Sequence, residues 1–421
     1  MANLFRLYRN SFAGLPADAW WLAAVMLVNR SGSMVLFFLT LYLTQDLGWS
    51  DAFAGYAIAS YGLGSCVGAV VGGRLTEAWG PRRVQLLSLV ATAACFVLLS
   101  NLRTASWLLS GLFTTGVVAE ALRPANAMAV SCSVPLYKQA RAFALNRLAL
   151  NLGFTLGPAI GGFLATLSYR YLFFMDASTC IAAACLLLAM PSLPQSSGAE
   201  SEKLAEDCPE ARDERLTTDR EHVVFVLGIA LLLIVFMQVV STYPLFLREH
   251  VGLREQGIGL LMAVNTIVIV LVEMPLTERI GSLRPMKAVA WGSLFVCAGF
   301  GLLPLIAWLP GGAAQGTALI IMVLIWTVGE MISMPAMFTH VTTTSSMSQR
   351  PRRLAGLGLA SSTAFVVAPL LGTTLYRFHP DSVWLASFAA APFLWYIFRG
   401  RPASSWKQHA GPNADPVGSR V

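Results

Sequence analysis

Charge is scarce in this chain. Only 12% of the residues are Asp, Glu, Lys or Arg, about half the share found in a soluble domain. By contrast, 56% are hydrophobic and the mean hydropathy is +0.64. A soluble core cannot bury so much apolar surface across 421 residues. The shortage of charge therefore excludes an ordinary soluble protein, and lipid is expected to be the solvent for most of the chain.

The sequence also lacks the patterns of most chemical sites. It contains no phosphate-binding glycine loop and no paired metal-ligand spacing. The five histidines are scattered over loops and the ends of apolar runs, and the seven cysteines are spread singly along the chain. We therefore expect no enzyme, no metal, no organic cofactor and no ATP-driven pump. Any energy must come from a gradient.

Twelve apolar stretches are long enough to cross about 30 Å of hydrocarbon. This pattern predicts an all-α integral membrane protein with twelve transmembrane helices. The predicted spans cover approximately residues 19–43, 52–73, 84–101, 106–132, 141–167, 171–190, 222–247, 257–280, 287–309, 316–341, 352–376 and 382–399.

The basic residues select the orientation of these spans. With both termini in the cytosol, most of the 29 Lys and Arg residues fall on cytosolic segments, as the positive-inside rule requires. The first residues have no small-residue cleavage site after a short apolar core, so we expect a cytosolic lead-in. The net charge of +7 is then a topological signal, and no nucleic-acid partner is expected.

One long polar stretch divides the chain. Residues 191–221 are rich in acids and begin with Pro and Ser, which predicts a cytosolic linker. We expect it to be a plain tether, with a regulatory role as the alternative. It separates a six-helix bundle over 1–190 from a second over 222–400, and 401–421 would form a cytosolic tail.

The two predicted bundles repeat each other in sequence. "RLTEAWG" at 74–80 returns as "PLTERIG" at 275–281, and "RAFALNRLALNLGFTLGPAIGG" at 141–162 aligns with "RRLAGLGLASSTAFVVAPLLGT" at 352–373. The order is the same in both copies, so the repeat indicates a parallel duplication and two pseudo-symmetric halves.

The first copy of this repeat lies in the loop "GGRLTEAWGPRR", residues 72–83. Its glycines allow close approach and a tight turn, and Glu77 can face the positive N-terminus of a helix from the other half. Arg82 and Arg83 would stay with phosphates or acids, or serve only as positive-inside anchors. The second copy keeps Glu278, Arg279 and Arg284 in looser form.

Twelve spans, duplicated halves, a linker and this loop together resemble the major facilitator superfamily over essentially the whole chain. The family's loop signature is G-x-x-x-D-(R/K)-x-G-x-(R/K)-(R/K). Here Glu77 replaces the usual Asp, and Ala78 stands where a base is usual. The resemblance implies that the loop latches the two bundles closed on the cytosolic side. The implied gating residues are Gly73, Glu77, Gly80, Arg82, Arg83, Glu278, Arg279 and Arg284.

A second motif lies in the fifth predicted span, "NLGFTLGPAIGG" at 151–162. Its glycines recur every four residues and give one smooth helix face, while the proline removes a backbone donor. The motif resembles the helix-5 signature of bacterial twelve-span drug:proton antiporters, and generic small-residue packing is the alternative. Its residues are Gly153, Gly157, Pro158, Gly161 and Gly162.

Polar side chains inside predicted spans need a reason, because a charge at mid-bilayer costs about 2.5–3.5 kcal/mol. The resemblance implies that the first helix of each triplet lines a central cavity, and most of these side chains lie there. Asn265, on the eighth span, is as easily explained by helix packing. The candidate substrate-binding residues are Asn29, Arg30, Met34, Arg123, Asn126, Gln238, Tyr243, Asn265 and Glu330.

Glu330 and Glu120 are the candidate proton-coupling residues, because a carboxylate in a low dielectric can take up and release a proton. Arg123 follows Glu120 by three residues, so a local ion pair is expected and leaves Glu330 as the carrier. A structural hydrogen bond is the alternative role for Glu330. Arg30 would either attract an anionic group or pair with Glu120.

Three further charges are expected near the membrane surfaces. Arg147 would extend its side chain to the cytosolic surface, and Glu273 would join the Glu278 cluster. Asp176 would lie near the outer surface.

These observations predict a proton-coupled secondary transporter that exports small amphiphilic or drug-like molecules by alternating access. We expect a monomer in the bacterial inner membrane whose partners are a small-molecule substrate, protons and lipid. One alternative is a proton-coupled importer or facilitator of a polar or anionic metabolite, with Arg30 and Arg123 as its ligands. The other is a non-transporting sensor or lipid-handling protein on the same fold.

Overall fold

The computed structural model describes residues 14–135, 138–190, 220–280, 283–345 and 350–399. Within these ranges the chain is helical and contains no β-strand. Apolar runs form helices in lipid because each backbone N–H and C=O then finds its partner within the same segment. The helices are α1 (Ala17–Asp46), α2 (Asp51–Trp79), α3 (Pro81–Leu99), α4 (Ala105–Cys132), α5 (Gln139–Leu167), α6 (Arg170–Ala189), α7 (Arg220–Val240), α8 (Glu255–Ile280), α9 (Pro285–Ala307), α10 (Ala313–Thr344), α11 (Arg350–Phe378) and α12 (Ser382–Phe398).

The predicted all-α membrane fold is confirmed. In the described part of the chain, 11 helices are long and apolar enough to cross a membrane. α12 is apolar but shorter, with 17 residues, so the count of twelve spans stays a prediction. The predicted tail over 401–421 and residues 191–219 of the predicted linker lie outside the described residues.

α1 is not one continuous helix, as the predicted span implies, but breaks near its middle. Its first segment is Ala17–Ser31 and its second is Val35–Leu41. Asp176 of α6 explains how the break is held. Its carboxylate accepts the backbone N–H of Met34 at 3.1 Å and that of Val35 at 3.0 Å, so it caps the second segment. Asp176 is buried, which corrects the expected position near the outer surface.

α7 breaks in a similar place, which supports the internal repeat. Its regular part ends at Phe236, a 3₁₀ turn covers Met237–Val240, and a separate short helix, Thr242–Glu249, follows Ser241. Gln238 stabilises this break, because its Nε2 donates to the carbonyl oxygen of Ala368 in α11 at 3.0 Å. Broken helices in both halves bring irregular backbone to the centre of the bundle.

The first half, α1 to α6, meets the second half, α7 to α12, mainly along two helix pairs, α2 with α11 and α5 with α8. The second segment of α1 also contacts the broken part of α7. Glycine makes the close approach feasible. A methyl group in place of the hydrogen of Gly55 would strike the side chain of Thr373, and one on Gly162 would strike the backbone of Glu255. Gly259 is equally close to the backbone of Pro158. The two sets therefore touch backbone to backbone.

The helices have two distinguishable ends. The motif end carries the α2–α3 turn at Gly80, and Lys138 at this end donates to the carbonyl oxygen of Gly14 at 2.7 Å. The far end carries the loops that follow α1, α3, α5 and the short helix Thr242–Glu249. There Arg170 donates to Asn101 at 2.9 Å, which ties α6 to the loop after α3.

Candidate functional site

A cavity of about 700 Å³ lies between the two sets of helices. Its lining comes from α1 to α8, α10 and α11, so both repeats contribute to one site. The cavity extends toward the motif end, where Asn126 of α4 and Phe143 of α5 belong to its wall. Much of the wall is aromatic, and its aromatic residues are Phe37, Tyr61, Phe96, Phe143, Phe154, Phe236, Trp326 and Phe365. A cavity of this kind suits an organic molecule with an apolar body.

Most of the predicted polar site residues meet at this cavity. Those on its wall are Asn29, Arg30, Glu120, Arg123, Asn126, Asn265 and Glu330. The first helix of each triplet (α1, α4, α7 and α10) therefore contributes as expected, and α2, α3, α5, α6, α8 and α11 contribute as well.

Three predicted residues are not part of the wall. Met34 is buried at the break in α1, where it packs against Gly161. Gln238 forms its hydrogen bonds at the break in α7, where it donates to Ile234 and Ala368 and accepts from Ser241 and Thr242. The ring of Tyr243 is buried against Phe300 and Trp384.

The second half presents one carboxylate to the cavity, Glu330 on α10. Asn265 of α8 donates to its Oε2 at 3.2 Å and to Thr327 Oγ1 at 2.9 Å. Thr327 in turn donates to the carbonyl oxygen of Val323 at 2.6 Å, so the chain of bonds is anchored on α10 itself. No Lys or Arg of the described residues lies within ion-pair distance of Glu330. Among the described residues, the neutral side-chain amide of Asn265 is the hydrogen-bond donor to the Glu330 carboxylate.

The first half presents a paired carboxylate. Glu120 and Arg123 form the ion pair that their spacing predicts, with Arg123 Nη1 at 3.0 Å from Glu120 Oε1. Closer to the motif end in the same half, Gln85 donates to Asn126 at 3.3 Å and Asn126 donates to Asn146 at 3.2 Å. Sequence reasoning found Asn126 but missed its two partners, because one lies 41 residues before it and the other 20 residues after it.

Arg30 is a second basic residue of the first half on the cavity wall, besides Arg123. Its guanidinium carbon lies 5.6 Å from the centre of the Phe154 ring of α5, a cation–π contact. Its Nε is buried and has no hydrogen-bond partner in the described structure. The expected alternative of an ion pair with Glu120 is not seen, because Glu120 binds Arg123.

An ion pair between the halves was missed by the sequence analysis. Arg147 of α5 and Glu273 of α8 are in direct contact, and Asn151 donates to the other oxygen of Glu273 at 3.4 Å. Arg147 therefore does not simply extend to the membrane surface. The sequence does place a charged residue in each of two apolar spans, which could have indicated an ion pair. Only the fold shows that these two side chains face each other.

The predicted gate loop is largely unengaged at the motif end. Arg82 donates to the carbonyl oxygens of Leu187, Leu188 and Met190 at 3.0–3.2 Å, all within its own half. Glu77 and Arg83 are exposed, and neither has an ion pair with the described residues.

The rest of the predicted gate is equally open. A methyl group on Gly73 or Gly80 would meet no atom within 4 Å. Gly80 has a φ of 81°, which only glycine adopts readily, so it is needed for the turn. Arg284 is exposed just before α9. The side chains of Glu278 and Arg279 lie outside the described residues.

The helix-5 motif packs mainly against α1 of its own half. A methyl group on Gly153 would lie 2.7 Å from Arg30 Cβ, and one on Gly157 would lie 3.4 Å from the Ser31 carbonyl oxygen. Gly161 faces Met34 in the same way. Gly162, one residue on, faces α8 of the other half, and Pro158 lines the cavity. The motif thus sets the distance from α5 to both neighbours.

The far end is closed by hydrogen bonds to two carboxylates. Tyr169 Oη donates to Glu255 at 2.9 Å and Gln45 donates to Glu249 at 3.3 Å, each across the two halves. Tyr376 also donates to Glu249 at 2.9 Å. Burial raises the pKa of the Glu249 carboxyl above its ordinary value of 4.5, although the bond from Tyr376 opposes this shift.

Comparison with known proteins agrees with this architecture. Residues 21–347 match the profile of the Major Facilitator Superfamily. The chain is 22% identical over 352 residues to the uncharacterized MFS-type transporter YqjV of Bacillus subtilis, covering 81% of each chain. It is 24% identical over 173 residues to the quinolone resistance protein NorA of Staphylococcus aureus, covering 41% of this chain and 44% of NorA.

Solved transporter structures share the fold. The nucleoside transporter NupG superposes with a TM-score of 0.73 at 12% identity, covering 91% of this chain and 99% of NupG. A POT family transporter superposes with a TM-score of 0.74 at 14% identity, covering 92% and 96%. A D-xylose–proton symporter superposes with a TM-score of 0.69 at 14% identity, covering 90% and 97%. At these identities the likeness shows the fold alone.

Proposed function

The chain belongs to the Major Facilitator Superfamily, and from that premise we propose that it is a proton-coupled secondary transporter that exports small amphiphilic molecules. The family and its structural neighbours are transporters and not enzymes. A multi-pass membrane protein that transports small molecules is therefore the starting point. The coupling ion, the direction and the kind of cargo are what we add.

The observation that carries the proposal is the situation of Glu330. Its carboxylate lies on the wall of the cavity between the halves and accepts a hydrogen bond from Asn265. No Lys or Arg of the described residues forms an ion pair with it. A carboxylate in such a place is expensive to keep ionised, so taking up a proton is favourable when cargo or water leaves. Glu120 is less suited to this role, since Arg123 balances its charge.

Two features support export of an amphiphile. The cavity wall combines many aromatic rings with a few polar groups, which suits adaptable binding of apolar bodies. The motif at 151–162 resembles that of drug:proton antiporters, and NorA, whose name records quinolone resistance, is a relative over less than half of its length. We therefore favour export over import.

Alternating access gives the mechanism. The bundles of residues 1–190 and 222–400 would rock about the cavity, so that the far end and the motif end open in turn. We place the motif end and both termini in the cytosol on the positive-inside rule, in the inner membrane of a bacterium. The cavity lies within one chain, so a monomer is sufficient. Glu330 would bind a proton when the far end is open and release it when the motif end is open.

The test is substrate-dependent proton flux in liposomes that contain the full-length protein and a fluorescent quinolone as cargo. For Glu330→Gln we expect flux to fall by about tenfold or more, because the amide cannot carry the proton. Glu120→Gln is the matched control, and its flux should stay within about threefold of wild type since an ion pair at this exposure contributes little. Proton flux that survives Glu330→Gln unchanged would rule out Glu330 as the carrier.

A further inference from the structure

Arg30 is a cavity-lining cation that pairs with no carboxylate in the described part of the chain. It lies in the last turn of the first segment of α1, and it lines the cavity. No carboxylate of the described residues lies within ion-pair distance of it. A guanidinium carries five N–H donors, so most of its hydrogen-bonding capacity remains available to a bound molecule.

The two carboxylates of the first half that line the cavity, Glu120 and Asp176, are already engaged. Glu120 pairs with Arg123, and Asp176 accepts the N–H groups of Met34 and Val35 at the helix break. Neither is free to move to Arg30 without breaking another contact. The carbonyl end of the first α1 segment supplies a weak negative potential, which makes the cation tolerable but gives it no specific acceptor.

The surroundings of Arg30 also hold it in place. Phe154 of α5 lies against its guanidinium at 5.6 Å, and the neighbouring Gly153 lets α5 approach the Arg30 backbone closely. The Phe154 ring lies over one face of the guanidinium, and Nε is buried, so the two Nη groups are the donors left for a bound molecule. A planar guanidinium with two such groups beside aromatic rings fits a carboxylate or sulfonate attached to an apolar ring system.

We propose that Arg30 is the subsite for an acidic group on the cargo, so that the transported molecules are amphiphilic organic anions or zwitterions. This inference rests on the proposed transport function and names its substrate class. The acidic group binds Arg30 in the first half, and the apolar body lies against the aromatic wall. Glu330 then faces the cargo from the second half, so cargo binding spans both bundles.

The test is equilibrium binding to the detergent-solubilised full-length protein without any gradient. Three fluorescent probes share one apolar body: pyrenebutyrate is an anion, pyrenebutanol is neutral, and pyrenebutyl-trimethylammonium is a cation. We expect pyrenebutyrate to bind about tenfold to a hundredfold more tightly than the other two, as a charge-assisted hydrogen bond predicts. Arg30→Gln should remove this preference, and Arg30→Lys should keep part of it.

Arg170→Gln is the matched control, because it makes the same exchange at a cation outside the cavity, where Arg170 donates to Asn101 at the far end. It should keep most of the preference for pyrenebutyrate. The proposal is overturned if the wild-type protein binds all three probes equally, binds none of them, or prefers the cation. It is also overturned if the preference survives Arg30→Gln in protein that melts like wild type.

The binding test and the flux test can fail independently of each other. If Arg30→Gln removes the anion preference while Glu330→Gln leaves proton flux intact, the subsite stands and the proposed coupling fails. If Glu330→Gln removes the flux while the probes show no preference, the coupling stands and the subsite fails.

Discussion

The two ends of the molecule join their halves in different ways. At the far end, α5 and α8 touch backbone to backbone at Gly162 and Gly259, and Tyr169 donates to Glu255 across the halves. Toward the motif end, the described polar contacts between α5 and α8 are the partly exposed ion pair of Arg147 and Glu273 and the bond from Asn151 to Glu273. The far end is therefore sealed by close packing, whereas in the described residues α5 and α8 are linked toward the motif end through the Glu273 carboxylate, which water can reach.

This difference explains why the predicted gate loop is unengaged. If the loop latches the motif end, as its resemblance predicts, its contacts form only in the conformation that closes that end, whereas here the far end is closed. Glu77 is exposed, and Arg82 binds carbonyl oxygens of its own half. Under the proposed alternating access, the predicted latch and the observed contacts therefore belong to opposite conformations. The comparison predicts that substitutions at the two ends have effects of different size and opposite direction.

The largest effect is expected from Gly162→Val. The added side chain would meet the backbone of Glu255, which cannot move without displacing α8. Overpacking of this kind costs about 1–3 kcal/mol, so transport in liposomes should fall about tenfold. Spin labels at Thr104→Cys and Gly311→Cys, in a protein without the seven native cysteines, should report a wider separation at the far end.

The matched control is Gly73→Val at the motif end, where a methyl group would meet no atom within 4 Å. Its label distance at the far end should equal that of the parent protein. Equal distances for Gly162→Val and its parent, in protein that remains monodisperse, would show that the far end is not closed by this contact.

The second effect concerns the link between Arg147 and Glu273. Arg147→Gln leaves a mostly buried carboxylate with Asn151 as its remaining partner, so the motif end should open further. Since half of the Arg147 side chain is exposed, we expect a shift of about fivefold in the conformational equilibrium. Labels at Pro135→Cys and Leu283→Cys would measure it.

The exchanged pair Arg147→Glu with Glu273→Arg is the control, because it restores opposite charges at the same two positions. It should return the label distance most of the way to the parent value. A double variant that behaves like the sum of its single substitutions would contradict a direct interaction.

The sequence predicted features that depend on local spacing. Apolar length identified the helices, and the three-residue spacing of Glu120 and Arg123 identified their ion pair. The four-residue glycine repeat of α5 predicted a smooth face. It did not identify the neighbour, which is α1 for Gly153, Gly157 and Gly161, and it did not predict that Gly162, next to the repeat, faces α8. Local spacing determines which residues share a helix face, but the neighbouring helix is set by the tertiary fold.

Contacts between residues far apart in the sequence could not be predicted for the same reason. Asp176 caps a helix that begins 141 residues earlier, and Glu273 contacts a residue 126 positions away. Both were expected near a membrane surface because their distance from the span ends suggested it. A buried carboxylate inside a membrane protein needs donors, and a search for those donors is possible once the helices are placed.

A smaller effect is expected from the pH dependence of the far end. Glu249 accepts hydrogen bonds from Gln45 and Tyr376, with Asp51 and His250 as its charged neighbours. Its pKa is raised in the closed conformation, so that conformation binds the proton more tightly than an open one. Closure at the far end is therefore favoured below pH 4.5 and weakens as the pH rises through the raised pKa.

The far-end labels, measured across this pH range, should report a shift smaller than that of Gly162→Val. Glu249→Gln should remove the pH-dependent part, because the amide stays neutral throughout. A pH response that persists unchanged in Glu249→Gln would assign it to another group, such as Asp51 or His250.

The smallest effect on the conformation described here is expected from Glu77→Gln. Glu77 is exposed and has no ion pair with the described residues, so binding of pyrenebutyrate should change by less than about twofold. Thermal stability should change by less than about 0.5 kcal/mol, as for other surface substitutions. Transport should nevertheless slow, because the closed motif end would lose its latch. Binding that weakens as much as transport slows would instead place Glu77 at the cavity, and the contrast between the two ends would no longer hold.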